Sequence, residues 1–170
     1  TRDHLVVSLD GMYNNPDIDL VKTFIGQFNN YSSTTKLSEN INFNTPADIA
    51  LDFQPPTIIN QINTSVDYKD PQTGTRYFSL TKDIAFVNSD VKVKTYVNSD
   101  LNGDERKRWI LRAVLYNLGF YGETAEYPDS IFYAGSTNSS QLSDIDLKAL
   151  QLMYGSKITN GMNKDYLRTY

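Results

Sequence analysis

One amphipathic segment that ends at a glycine constrains the fold of this 170-residue chain more than any other feature. Between Trp109 and Leu118 the apolar residues recur every three or four positions, which places them on one side of a helix. Gly119 follows at once, and a glycine at this place commonly adopts the left-handed conformation that ends a helix. The segment therefore predicts a helix with one buried side, formed by Leu111, Val114, Leu115 and Leu118.

Strand patterns occupy most of the chain before this helix. The run HLVVSLDG, from His4 to Gly11, is apolar and β-branched and predicts a buried first strand. After Pro16, an amphipathic pattern predicts a helix that stops near Asn29 and Asn30. The further strand candidates are NINFN (40–44), DIALDFQ (48–54), RYFSL (76–80), DIAFVN (83–88) and KVKTYVN (92–98).

The remaining segments complete the order of elements. TIINQINTSV (57–66) stays open between a short helix and a loop, and YKDPQTGTR (68–76) has the composition of a turn. Residues 120–140 look irregular. Ser143 is predicted to cap a last helix that ends at Gly155, with Leu147, Leu150 and Met153 as its buried stripe. This order predicts an α/β (α+β) fold, and no repeat or linker divides residues 1–170, so a single domain is expected.

Composition narrows the chemistry that the chain can perform. It has no Cys and a single His, His4, whereas most zinc enzymes use two or three imidazoles. A formal net charge of -4 argues against a nucleic-acid partner. No apolar stretch approaches the roughly 20 residues that span a bilayer, and the first residues, TRDHLVV, lack the pattern of a signal peptide. Twelve Tyr residues and a high Asn content favour an extracellular or cell-surface protein.

The helix and its surroundings resemble the metzincin clan of zinc metallopeptidases, especially the matrixin-like members. The family motif is HExxHxxGxxH, in which the first two His residues share one helix face because they lie four positions apart. Alignment on Gly119 sets Arg112 at the first His position, Ala113 at the general-base Glu and Tyr116 at the second His. Gly122 then stands at the third ligand position. Every catalytic position differs, while Leu118 and Gly119 keep the motif's packing and turn.

Three more segments carry the resemblance. SIFY (130–133) is similar to the family's Met-turn, with Phe132 in place of the Met. LSDIDLKALQLMYG (142–155) is similar to the final helix of matrixin-like domains, and VKTYVNSDL (93–101) resembles the edge strand and lead-in. The resemblance implies a metzincin-like domain in which two main helices pack on a twisted, mostly parallel mixed sheet, followed by a turn and a C-terminal helix.

What the resemblance implies for function is a domain without metal, cofactor or peptidase activity that serves as a binding or structural module. An alternative hypothesis keeps hydrolysis through non-standard ligands drawn from His4, Tyr116, Glu123 and Glu126. A third hypothesis discards the family and keeps a small α/β domain with an unassigned binding role.

Arg112 leads to a structural prediction of its own. An unpaired buried guanidinium costs several kcal/mol, so Arg112 is expected to be exposed or paired with Glu123 or Glu126. Such a pair would fill the metal's place as a charge-balanced plug. In the family geometry, Arg112 and Tyr116 look into a groove lined by an edge strand near Val93–Val97, and this groove could bind an extended peptide by strand addition.

A calcium site is the other metal-binding pattern in the sequence. Alternate polar residues before the helix resemble the start of a calcium loop, but Trp109 stands where the bidentate Glu is expected. A polar turn with a helix cap is therefore the preferred interpretation of Asn98, Asp100, Asn102 and Asp104.

Overall fold

The computed structural model describes residues 3–40, 47–83, 92–135 and 139–155. Within these ranges the chain forms six strands and four helices. In chain order they are β1 (His4–Gly11), α1 (Asn15–Tyr31), β2 (Lys36–Glu39), β3 (Ile49–Gln54), α2 (Pro56–Ile59), β4 (Val66–Lys69), β5 (Arg76–Asp83), β6 (Lys92–Asn98), α3 (Gly103–Asn117) and α4 (Asp144–Tyr154).

The strands form one sheet in the order β2-β1-β3-β6-β5-β4. β1 pairs in parallel with β2 and β3, and β3 pairs in parallel with β6. β5 runs antiparallel to both of its neighbours, β6 and β4. The predicted α/β class with a mostly parallel mixed sheet is therefore confirmed.

The core lies between the sheet and the two long helices α1 and α3. Alternate residues of β1 are buried, as expected of a strand with one covered face. The two helices also contact each other. The largest fully buried side chains include Phe24 and Phe28 of α1, Leu51 and Phe53 of β3, Phe78 of β5, and Ile110 and Leu115 of α3.

A buried ion pair joins α3 to the start of α1. Asn14 caps α1 by accepting a hydrogen bond from the backbone N–H of Asp17, and the Asp17 carboxylate in turn accepts one from the backbone N–H of Asn14. The same carboxylate receives Arg106 through Nε and Nη2, each at 2.8 Å. A bidentate pair of this kind fixes geometry as well as charge, so it sets the position of α3 relative to the start of α1.

Most of the predicted elements are confirmed. β1 has the predicted bounds, and α1 begins just before Pro16. β5 and β6 contain the runs RYFSL and KVKTYVN, and β3 covers the run DIALDFQ except for its first residue. The open segment 57–66 holds most of α2, a loop and the first residue of β4. β2 was not predicted. NINFN, after Asn40, and DIAFVN, after Asp83, lie outside the described residues.

Two predictions about the strands are wrong. β6 is not an edge strand: it lies between β3 and β5. The reason is the hairpin β4–β5, which adds two antiparallel strands beyond β6 and makes β4 the edge. The segment YKDPQTGTR is also not a turn throughout, because its first two residues, Tyr68 and Lys69, end β4.

The last helix matches its prediction except at one position. Ser143 caps α4 in a capping box with Asp146, and the helix ends before Gly155. Leu150 is buried and Leu147 partly buried, but Met153 is 40% exposed, so the predicted stripe is wrong at its last member. Met153 lies over Gly119, at an end of α3 that solvent reaches. None of the helices in the described ranges is both long and apolar enough to cross a membrane.

Candidate functional site

The face of α3 that carries Arg112 and Tyr116 is covered by β4. The Cζ atom of Arg112 lies 5.0 Å from the centroid of the Tyr68 ring. Tyr116 meets Tyr68 edge-on, with 5.7 Å between the ring centroids. Both side chains therefore point to one side, as their spacing predicts. This face is not the open groove that was expected, because Tyr68 lies over it.

An aromatic box surrounds the guanidinium of Arg112. Besides Tyr68, its Cζ atom lies 4.9 Å from the ring centroid of Trp109 and 5.6 Å from that of Phe132. The turn SIFY therefore reaches the site through Phe132. Only 2% of the Arg112 side chain is exposed. Cation–π contacts of desolvated groups contribute up to about 2 kcal/mol each, so the three rings stabilise the buried charge.

One carboxylate and one carbonyl oxygen bind this buried cation, and the carboxylate balances its charge. Arg112 Nη1 lies 3.0 Å from Glu123 Oε1, and Nη2 donates to the carbonyl oxygen of Gly122 at 3.3 Å. Glu123 is 44% exposed, so the ion pair is buried on the Arg112 side and open to solvent on the Glu123 side. Of the two carboxylates that the sequence offered, the pair uses Glu123, while Glu126 is exposed. Arg112 thus ties α3 to the loop that follows it.

A glycine reverses the chain and brings this loop back to the helix. Gly119 has φ +95°, and the N–H of Phe120 donates to the carbonyl of Leu115 at 3.0 Å, which closes the helix end. A Cβ atom at Gly119 would lie 2.9 Å from Cε of Met153. Gly122 has φ +98°. The two left-handed residues turn the backbone so that the Gly122 carbonyl faces Arg112.

Arg108, one turn before Arg112, makes a second link to the loop. Its Nη2 donates to the carbonyl of Tyr133 at 2.6 Å, and its Nε donates to that of Ile131 at 3.4 Å. Its Cζ atom lies 5.4 Å from the Trp109 ring. Burial and the nearby charge of Arg112 lower the pKa of Arg108. Arg108 was not among the residues predicted from the sequence, although its four-residue spacing from Arg112 places both on one face of the helix.

A stacked aromatic pair lines the other side of Trp109. Tyr77 lies parallel to Trp109, with 4.2 Å between the ring centroids. The register between β4 and β5 shifts next to Tyr68, which gives Tyr77 no opposite residue in β4 and lets it turn toward α3. Burial, and then the hydrogen bond that its hydroxyl donates to Asp70, raises the pKa of Tyr77 to about 12.

Asp146 holds the SIFY turn in place from α4. Its carboxylate accepts hydrogen bonds from the Ser130 hydroxyl at 2.6 Å, the Ile131 backbone N–H at 3.0 Å and the Ser143 backbone N–H at 2.9 Å. The group is buried. A buried carboxylate that accepts several hydrogen bonds holds its donors firmly in place, so Asp146 fixes the position at which Phe132 contacts Arg112.

Three other residues selected from the sequence, Ala113, Leu118 and His4, take no part in this site. Ala113 and Leu118 are buried in the core. His4 contacts the Ser38 hydroxyl at 2.8 Å, on β1 and β2, at the opposite end of the sheet from β4. In the described residues no three His, Asp or Glu side chains are grouped so that they could hold a metal ion.

The polar residues of the calcium-like pattern lie in the turn that leads into α3 and in the first turn of that helix. Asn98 donates to the carbonyl of Arg76 at 2.9 Å and accepts a hydrogen bond from the backbone N–H of Asp100 at 2.9 Å. Asp104 lies 3.1 Å from Lys107. Asn102 occupies the N-cap position, and its side chain makes no cap hydrogen bond.

A cleft of about 910 Å³ opens beside the ion pair. Its walls are the turn between β4 and β5, the first half of α3 and the loop after α3. Trp109, Tyr77 and Glu123 lie at its boundary, so the aromatic pair and the exposed end of the ion pair face the same space.

Comparison with known proteins agrees with this architecture. No family model and no curated protein matches the chain. Sixty-five chains of solved structures match it. One is Myroilysin, a metallopeptidase, with a TM-score of 0.54 and 13% sequence identity over 92% of this chain and 82% of that chain. The mixed α/β architecture, with its six-stranded, mostly parallel sheet and four helices in the described residues, is consistent with a metzincin-like fold. At this identity the likeness concerns the fold alone.

Proposed function

We propose that this chain is a metzincin-fold domain without zinc or peptidase activity, and that it serves as a protein-binding module of a secreted or cell-surface protein. One observation carries the proposal: the Arg112 guanidinium binds the Gly122 carbonyl and Glu123. In the alignment on Gly119, these contacts join the first ligand position to the third. An arginine would thus make the cross-link between helix and loop that a metal makes in the family.

Charge and chemistry support the loss of the metal. A guanidinium stays protonated at any physiological pH, so Arg112 repels a dication in addition to offering it no lone pair. Ala113 has no group that can accept a proton from water, and its side chain is buried in the core. Tyr116 keeps its proton near neutrality, as an ordinary tyrosine does, and burial raises its pKa further.

The hydrolase alternative receives less support from the geometry. It needs His4 near Tyr116 or Glu123, because a zinc-type site without an imidazole is unusual. His4 begins β1, whereas Tyr116 packs on Tyr68 and Phe78 of β4 and β5. Three strands, β3, β6 and β5, separate β1 from β4 in the sheet.

A binding role fits the cleft better than the edge of the sheet. β4 has only four residues, ends in Lys69 and has a register shift. Short length, a terminal lysine and a bulge are features by which proteins prevent further strands from adding to an edge. We therefore assign binding to the cleft beside Glu123, and not to strand addition at β4. Residues 93–97 belong to β6, which already pairs with β3 and β5 and has no free edge.

Metal content and peptide cleavage test the proposal together. Protein expressed with added zinc should carry less than about 0.1 zinc per chain by mass spectrometry, because too few ligands converge there. Peptide libraries incubated with Zn²⁺, Co²⁺ or Mn²⁺ should stay intact. The double variant Arg112→His/Ala113→Glu is a control, and it should also bind no zinc because Tyr116 and Gly122 remain. Stoichiometric zinc that a chelator removes together with an activity would overturn the proposal.

A further inference from the structure

The single tryptophan of the chain lies against a tyrosine whose hydroxyl is bound to a carboxylate. Tyr77 stacks on Trp109, with 4.2 Å between the ring centroids and 11° between the ring planes. The Tyr77 hydroxyl donates to Oδ2 of Asp70 at 2.9 Å. All three side chains line the same cleft, which a small solute can enter. An indole, a phenol and a base in direct contact are the groups that a coupled transfer of one electron and one proton requires.

The charges beside Trp109 oppose the loss of an electron from its ring. The Cζ atoms of Arg112 and Arg108 lie 4.9 Å and 5.4 Å from the ring centroid. Glu123 balances the charge of Arg112, but Arg108 is held by two carbonyl oxygens, which carry no net charge. A positive charge on the indole is therefore repelled by Arg108 at close range. An electron vacancy on Trp109 is accordingly driven toward a neighbour that can give up its positive charge as a proton.

Asp70 is placed to accept the proton that Tyr77 must release. Burial and the hydrogen bond to Asp70 raise the pKa of Tyr77 to about 12, so the phenol enters any oxidation at neutral pH in its protonated form. Oδ1 of Asp70 accepts hydrogen bonds from the backbone N–H groups of Gln72 and Thr73, at 2.7 and 2.8 Å. These bonds lower the pKa of Asp70, so the carboxylate is ionised and Oδ2 serves Tyr77. An oxidised phenol is a far stronger acid than a carboxylic acid, so its proton passes to Asp70.

The other tyrosine that contacts Trp109 lacks such a base. Tyr68 lies 6.2 Å from Trp109 between ring centroids, and the two rings are tilted by 48°. Within the described part of the chain, no carboxylate accepts a hydrogen bond from the Tyr68 hydroxyl. Electron transfer between rings slows as their separation grows, and a phenol without a base must release its proton to water. Both factors favour Tyr77 over Tyr68.

We propose that Trp109, Tyr77 and Asp70 form a one-electron relay that moves oxidation from the tryptophan to the tyrosine. A small oxidising radical in the cleft takes one electron from the indole, which loses its N–H proton to water. Tyr77 then gives one electron to Trp109, its hydroxyl proton passes to Oδ2 of Asp70, and the indole regains a proton from water. The products are an intact tryptophan, a neutral tyrosyl radical and a protonated Asp70.

This relay keeps oxidative damage away from the aromatic box, because Trp109 is restored while it contacts Arg112. The radical comes to rest on Tyr77, at the boundary of the cleft. The inference is independent of the proposed function, since neither a metal nor a peptide takes part in the transfer.

Pulse radiolysis of the whole chain tests the relay. At pH 7 the azide radical oxidises tryptophan in preference to tyrosine, and the single Trp makes the indolyl absorbance near 510 nm a signal of Trp109 alone. This absorbance should decay with first-order kinetics while the tyrosyl absorbance near 410 nm rises at the same rate. The rate constant should be the same at tenfold different protein concentrations, because the transfer is intramolecular. In heavy water the transfer should be about twofold slower, because a proton moves with the electron.

Matched variants assign the roles. Tyr77→Phe keeps the stacked ring without its hydroxyl and should slow the decay at 510 nm at least tenfold. Asp70→Asn keeps a hydrogen-bond acceptor without the base and should slow it at least threefold. Tyr31→Phe makes the tyrosine-to-phenylalanine change at an exposed residue that ends α1, and it should leave the rate unchanged.

Circular dichroism checks that each variant is folded, and the heavy-water comparison needs no variant at all. A decay at 510 nm without a matching rise at 410 nm, or equal rates in light and heavy water, would overturn the relay. So would a rate that Tyr77→Phe leaves unchanged, or one that Tyr68→Phe slows in its place.

Discussion

Removal of Glu123 should destabilise the protein far more than its exposure suggests. Its partner Arg112 is 2% exposed, so Glu123→Ala leaves a buried guanidinium with one weak carbonyl contact. Breaking a fully buried pair from one side costs about 3–5 kcal/mol. Because 44% of Glu123 is exposed, water can hydrate the outer end of the guanidinium. We therefore expect a loss of about 2 kcal/mol in the free energy of unfolding.

Replacing Arg112 should lower the free energy of unfolding less than replacing Glu123, and the double variant shows the reason. Arg112→Met keeps an apolar chain of similar length among the rings and leaves Glu123 to water, so we expect a loss of about 1.5 kcal/mol from cation–π contacts and packing. Arg112→Met/Glu123→Ala should also lose about 1.5 kcal/mol, since no buried charge is left unpaired. The double-mutant cycle therefore predicts a coupling energy of about 2 kcal/mol.

Urea unfolding, followed by the fluorescence of the single Trp and by circular dichroism, measures each free energy. Trp109 touches Arg112, so the fluorescence reports on the site itself. The exposed pair of Lys22 and Glu39, 3.3 Å apart, serves as the control cycle and should give at most about 0.5 kcal/mol. If the Arg112 and Glu123 changes add within about 0.5 kcal/mol, the plug is not a coupled unit and the reasoning fails.

Three further predictions concern the surroundings of the site. Asp146→Asn should cost about 2–3 kcal/mol in urea unfolding, because an amide nitrogen then faces the donors of the SIFY turn. Gly119→Ala should lower the melting temperature more than Gly74→Ala: both have a positive φ, but only at Gly119 does a Cβ meet Met153. The pKa of Tyr77, raised to about 12 against about 10 in the unfolded chain, makes the folded form hold more protons between these values. Stability should therefore fall as pH rises from 10 to 12, with a smaller slope in Tyr77→Phe, and absorbance at 295 nm should show the late titration.

The elements that the sequence predicts best depend on local signals. The strand from His4 to Gly11 contains an apolar run with two adjacent valines and is bounded by a turn. α4 begins after Ser143, whose hydroxyl caps the helix as the sequence predicts. Gly119 adopts the left-handed conformation because the helix end needs it whatever surrounds the helix. β2 was missed because only Leu37 of its four residues is buried, which leaves too little pattern to detect.

Long-range pairing explains most of the errors. The interior position of β6 depends on where β5 pairs, and β5 pairs with β4 through a turn whose composition hides the strand before it. Tyr68 was therefore assigned to a turn, although it covers Arg112. Phe132 and Glu123 were selected as site residues from the resemblance, but no spacing rule connects them to Trp109, because the loop that carries them has no regular period.

Under the proposed function, Tyr68 also limits the routes by which this scaffold could acquire zinc chemistry through mutation. Changing residues 112, 113, 116 and 122 to the family's motif would supply ligands and a base, yet the ring of Tyr68 would still lie over positions 112 and 116. Its stacking on Phe78, with 4.5 Å between centroids, means that removing it also exposes the core of the sheet. Each partial set of changes would therefore carry a stability penalty before any metal could bind. A laboratory selection would need at least five coordinated substitutions, including one in β4, before the first active variant could emerge.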